Sequence, residues 1–168
     1  MKKIISFLLL IIICWSLCAC DPGRYLVEQD SLEGIVSVDL IEYENANQKH
    51  FFSWVPNHFD ELVPFINENA KVIECLPQEK IADFLNDFSK TDILHTYYAY
   101  NSPKDICIRC NYANGNFLII WANYERQSAS GYIGEYSADG TVLSFWGCFS
   151  GLSYYEELVN QYFNYTLK

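Results

Sequence analysis

From Ile35 to Tyr43 the chain reads IVSVDLIEY, with Val36, Val38 and Leu40 recurring at every second position. That is the period of a strand with one buried face. A β-branched run, AKVIECL, predicts another strand over Ala70 to Leu76, and Leu94 to Tyr100 predicts one more, closed by Asn101-Ser102-Pro103. Phe51 to Val55 reads as a short strand before Pro56. Pro64 is expected to interrupt any helix between Asn57 and Asn69, since it offers no N–H and its ring meets the preceding turn. After Pro77 the period changes. Ile81, Phe84, Leu85 and Phe88 fall at i, i+3, i+4 and i+7, one helical stripe that Ser89 and Thr91 end. A closing helix carries Tyr155, Leu158, Val159, Tyr162 and Phe163 on one face, with Ser153 and Glu156 spaced as a capping box.

Two hairpins stand between the helices. Asp105 to Tyr112 and Phe117 to Asn123 flank Asn114-Gly115, a two-residue turn signal that pairs Ala113 with Asn116. In that register Ile106, Ile108, Cys110, Tyr112, Phe117, Ile119 and Trp121 share a core face. Cys107, Arg109, Asn111, Leu118, Ile120 and Ala122 form a mixed face. Asp139-Gly140 repeats the device, grouping Tyr132, Tyr136, Leu143 and Phe145 against Ile133, Glu135, Val142, Ser144, Trp146 and Cys148. The expected fold is α+β: an antiparallel meander sheet with two helices packed on one face.

The N-terminus follows another pattern. Lys2 and Lys3 precede an almost unbroken apolar run from Ile4 to Ala19, short of the roughly 20 residues that span a bilayer. An uncleaved anchor and simple cleavage after Ala19 both fit the pattern. Leu17-Cys18-Ala19-Cys20 resembles the lipobox that ends the signal peptide of bacterial lipoproteins, although Cys18 stands where Ser, Ala or Thr is commoner. The resemblance implies removal of residues 1–19, fatty-acyl chains on Cys20, and localisation on the extracytoplasmic face of a cell membrane. Two or more acyl chains give stable anchoring where one is marginal. Residues 20–33, with Pro22, Gly23 and no periodicity, read as the lipidated cysteine and a tether, and residues 34–168 as one domain. The thirteen residues Asp21 to Glu33 would reach about 43 Å fully extended.

Charge narrows the partners. The formal net charge is −10, and loss of the two leader lysines takes it to −12. Such a surface repels phosphate backbones, which excludes nucleic acid, and it gives no electrostatic docking on anionic lipids. Thirteen Tyr, 11 Phe and 4 Trp are read first as core and cross-strand pairs.

No catalytic constellation is visible. Cys107-Ile-Arg-Cys110 has the C-x-x-C spacing, but within a strand its two side chains point to opposite faces, away from the helix N-terminus that redox motifs use. Cys107 and Cys148 lie three strands apart in a meander, about 14 Å, against about 5.5 Å between α-carbons for a bridge. Cys75, Cys107, Cys110 and Cys148 are therefore read as buried thiols. His50, His58 and His95 form no metal spacing, so neither a metal nor a cofactor is expected. Asp83 and Asp87 read as a solvated helix face, and Glu156 and Glu157 as a helix N-terminus.

The candidate contact surface is the loop Tyr124 to Ser130 with the sheet beneath it, bringing Arg126 near Arg109, Trp146 and Tyr124. Arginine and aromatic side chains of this kind suit a protein partner. The expected function is that of a membrane-anchored envelope lipoprotein, a non-enzymatic binding module. An immunity or inhibitor lipoprotein against a basic toxin or enzyme is the specific alternative, and a small envelope enzyme the competing class.

Overall fold

The computed structural model describes residues 24–43, 59–94, 106–123, 130–150 and 152–167. It is an α+β fold built on one eight-stranded antiparallel sheet. The strands are β1 (Arg24–Leu26), β2 (Ile35–Tyr43), β3 (Ala70–Cys75), β4 (Asp92–Leu94), β5 (Ile106–Tyr112), β6 (Phe117–Asn123), β7 (Ser130–Tyr136) and β8 (Val142–Ser150). The helices are α1 (Phe59–Glu68), α2 (Gln78–Phe88) and α3 (Leu152–Tyr162), with a short 3-10 turn at Gln29–Leu32. The expected strand at Phe51 to Val55 lies outside the described residues, as do residues 95–100 of the one expected at Leu94 to Tyr100. None of the described helices is long and apolar enough to cross a membrane.

Across the sheet the order is β1-β4-β8-β7-β6-β5-β2-β3. The expected meander is its central half, β5 to β8. On one side β2 crosses back beside β5, and on the other β4 and β1 extend the sheet past β8. The expected pair of helices packs on one face: Ile81, Phe84 and Phe88 of α2 and Tyr155, Leu158 and Val159 of α3 join Val38, Leu40, Ile108, Cys110, Leu118, Ile120 and Ile133.

The opposite face is a second core. Ile41, Tyr43, Cys107, Phe117, Ile119, Trp121, Tyr132 and Tyr136 are buried there with Phe65 and Ile66 of α1, a helix beyond the expected pair. Pro64 sits inside α1 without ending it. The lost backbone bond is offset by stacking Phe65 on Tyr43, ring centroids 5.3 Å apart, and by burying Ile66. Asn69 then closes the helix by donating both its backbone N–H and its side-chain amide to the Phe65 carbonyl.

The first hairpin turns at Asn114-Gly115 but in another register. Gly115 N–H bonds the Tyr112 carbonyl, and Tyr112 N–H bonds the Asn116 carbonyl. The loop therefore holds three residues, with Gly115 at φ +91°. The slip of one residue exchanges the faces of β6. Phe117, Ile119 and Trp121 pair with Asn111, Arg109 and Cys107, while Leu118 and Ile120 pair with Cys110 and Ile108. The second hairpin holds Tyr132, Tyr136 and Phe145 on one face as expected. Register shifts in β8 bring Val142 opposite Tyr136, and Leu143 is half-exposed.

The ends differ too. The stretch read as a tether is folded from Arg24 onward: β1 pairs with β4, and Val27 and Leu32 are buried in the core. The domain thus starts ten residues before Gly34. Ser153 lies within α3 rather than ahead of it.

Candidate functional site

A cleft of about 380 Å³ opens on the α2–α3 face of the sheet, where the β5–β6 and β7–β8 hairpins turn. Ser31, Glu33, Tyr112, Asn114, Asn116, Glu135 and Trp146 line it. Each side chain arrives by a local cause. Gly34, at φ +82°, turns the chain out of the 3-10 segment, and its carbonyl accepts the Ala113 N–H at 2.8 Å. This pins the hairpin tip beside Ser31 and Glu33. Asn114 folds its Oδ1 back onto the Asn116 N–H, 2.9 Å, stiffening the loop.

Glu135 sits opposite Ser144 because β8 carries extra residues relative to β7. Its Oε2 accepts from Ser144 Oγ at 2.8 Å and from Trp146 Nε1 at 3.3 Å. The Tyr112 hydroxyl donates to the Ser31 carbonyl at 2.7 Å. Burial pushes the Tyr112 phenol well above its ordinary range, and the nearby Glu135 carboxylate adds to the shift. Tyr112 is therefore a neutral donor, and among the described residues the charges lining the cleft are the carboxylates of Glu33 and Glu135. Two aromatic rings and two amides complete a surface suited to a cationic, hydrogen-bonding group.

Of the residues expected to form a contact surface, Trp146 lies in this cleft. Arg109 does not join it. Its guanidinium stacks over the Phe117 ring at 3.8 Å on the opposite face, with Nε donating to Asn111 Oδ1 at 2.8 Å. The sheet itself separates the two, because Trp146 packs with the α2–α3 core and Phe117 with the other. Tyr124, Arg126 and Cys20 lie outside the described residues, as do His50, His58 and His95. Glu33, Tyr112 and Glu135 were missed as a group. The sequence signal was the run of turn residues at each hairpin tip, which showed where chain ends meet but not on which face.

Other chemistry resolves into structure. Cys107 and Cys110 are buried thiols on opposite faces, and burial raises the Cys110 thiol far above its usual range. Cys75 is instead exposed, and its hydrogen bond with Asp39 raises its pKa first of all. Asn111 ties this edge together, donating to Asp39 Oδ2 at 2.7 Å and Ser37 Oγ at 2.9 Å. The α-carbons of Cys107 and Cys148 stand on β5 and β8, three strands apart. Among the described residues no three His, Cys, Asp or Glu gather as metal ligands.

Comparison with protein-family models, with curated proteins and with solved structures finds no match to this chain.

Proposed function

We propose that this protein is a lipid-anchored extracytoplasmic binding module without enzymatic activity, whose acidic cleft receives a cationic group of a protein partner. The observation that carries the reading is the make-up of the cleft: two carboxylates, Glu33 and Glu135, beside Tyr112 and Trp146, with no basic side chain among the described residues that line it. A lysine or arginine entering there gains charge-assisted hydrogen bonds and a ring face, and no described lining residue repels it. A net charge of −10 would steer such a partner toward the domain. Leu17-Cys18-Ala19-Cys20 supports the anchor.

The same cleft favours an immunity or inhibitor lipoprotein as the specific form of this role, since a basic toxin or enzyme supplies the complementary charge. The competing envelope enzyme is less well supported. Glu135 already accepts two hydrogen bonds, and among the described residues no histidine or cysteine lines the cleft beside it.

The test is recovery of partners by full-length protein from its native membrane at low and high salt. A basic protein retained at low salt, released at high salt and lost with the Glu33→Gln/Glu135→Gln pair is expected. Recovery of nothing, or retention indifferent to the pair, overturns the reading. Cys20→Ser should abolish lipid labelling; persistent labelling removes the anchor.

A further inference from the structure

The first strand of the sheet begins at Arg24, so Asp21, Pro22 and Gly23 are all that separate it from Cys20. Four α-carbon steps of 3.8 Å give a path of at most about 15 Å. Half of that is taken up by the headgroup layer itself, roughly 5–7 Å deep on each side of the hydrocarbon. Among the described strands β1 is also an outermost one, with β4 as its single neighbour. Two residues into it, Leu26 is 55% exposed, the largest exposure among the described large apolar side chains. A shallow groove of about 370 Å³ lies beside it, with Leu26, Val27 and Gln29 along one wall and Ser89 and Lys90 along the other.

We infer that the β1 edge is the membrane-facing edge of the domain, held against the lipid headgroups by the three-residue link. The inference rests on the lipid anchor proposed above. Charge plays little part: among the described residues Glu28, Asp30 and Asp92 stand near this edge as well as Arg24 and Lys90, so the basic residues there form no net basic patch toward anionic lipid. The link supplies proximity and Leu26 supplies apolar contact. An edge strand left open to solvent is a pairing hazard, and a bilayer surface on that side blocks approach by another strand. The far edge, β3, lies seven strand spacings away, about 34 Å. Its exposed Val72 therefore faces away from the lipid.

The experiment uses the full chain, lipidated in cells and reconstituted into phosphatidylcholine vesicles that carry a photoactivatable group at the headgroup. Crosslinked residues are mapped by mass spectrometry, and the Cys20 lipid is measured on the same sample. Crosslinks concentrated on 24–33 and lost from 70–75 are the expected result. A variant inserts a Gly/Ser linker of about 20 residues between Gly23 and Arg24, adding a span of roughly 25 Å. The insertion should abolish the concentration on 24–33. With lipid present on Cys20, even labelling of both edges, labelling centred on 70–75, or a pattern unchanged by the insertion overturns the inference and leaves the anchor standing. Absence of lipid on Cys20 overturns both.

Discussion

The Tyr162 hydroxyl donates a 2.6 Å hydrogen bond to Asp87 Oδ2, fastening α3 to α2 across the top of the larger core. Asp87 also accepts from Lys90 Nζ at 2.9 Å and Gln161 Nε2 at 3.1 Å, and its backbone carbonyl accepts from the Tyr154 hydroxyl. The Tyr162 and Lys90 bonds hold the Asp87 carboxyl below its ordinary value of 3.8.

Because the folded value is depressed, the stability Asp87 supplies is complete above the unfolded value near 4 and is lost as pH falls through the lower folded value. Asp87→Asn should cost roughly 1 kcal/mol at pH 7, a figure kept small because the site is open to solvent. Urea unfolding of both proteins at pH 7, 4 and 2.5 should show the difference shrinking toward acid. A difference constant with pH would mean that the carboxylate charge contributes nothing.

Gly115 and Gly140 close the two hairpins at φ +91° and +89°. A Cβ at Gly115 would stand 3.2 Å from the Ala138 Cβ, since the two tips touch. At Gly140 it would stand 2.9 Å from Asn67 Oδ1, whose amide donates to the Asp139 carbonyl. Gly115→Ala should cost about 1–2 kcal/mol from the left-handed backbone alone. Gly140→Ala should cost more, since it also displaces Asn67 and loosens α1 from the β7–β8 turn. Chemical denaturation orders the two; an equal cost would remove the Asn67 contact from the argument.

These turns show how far the sequence could be read. Asn114-Gly115 and Asp139-Gly140 marked both hairpins, and the stripes of α2 and α3 named their buried residues. Loop length was not legible, because a two-residue and a three-residue turn share the same Asn-Gly signal. One residue of slip moved Phe117, Ile119 and Trp121 onto the face with Arg109. That slip converted an expected half-exposed face into a core, and it separated Arg109 from Trp146. Pro64 misled for a related reason: tertiary burial of Phe65 and Ile66 outweighs a local breaker. Glu135 was legible with Ser144 and Trp146 on one face, as observed, but not as a cleft residue, because Ser31, Glu33 and Tyr112 reach it from other parts of the chain.

Glu135 offers a way to separate binding from folding. Its two donors, Ser144 and Trp146, are half-exposed, so water replaces the carboxylate when it is removed. Glu135→Gln should change stability by less than about 0.5 kcal/mol, as surface substitutions do. Partner retention should fall by about tenfold or more, the loss of one charge-assisted hydrogen bond. Thermal unfolding and the salt-dependent pulldown, run on the same preparation, check both halves. A large stability loss would make Glu135 a structural residue.

The second core makes the sharpest energetic prediction. Trp121, expected in the core, and Tyr43 are fully buried on the face that carries Arg109, and Trp121 stacks on Tyr132 with centroids 5.7 Å apart. Trp121→Ala should cost about 3–5 kcal/mol, as large core truncations do, against well under 1 for a solvated face. Tyr43 behaves differently. Among the described residues its hydroxyl has no hydrogen-bond partner, and burial drives its pKa far above the ordinary 10.0. Removing that oxygen leaves the ring stacked on Phe65 and ends the desolvation penalty of an unpaired hydroxyl. Tyr43→Phe should therefore be neutral or stabilise by up to about 1 kcal/mol, read from the urea midpoint at unchanged slope. A loss of 1 kcal/mol or more would show that the hydroxyl is satisfied in solution.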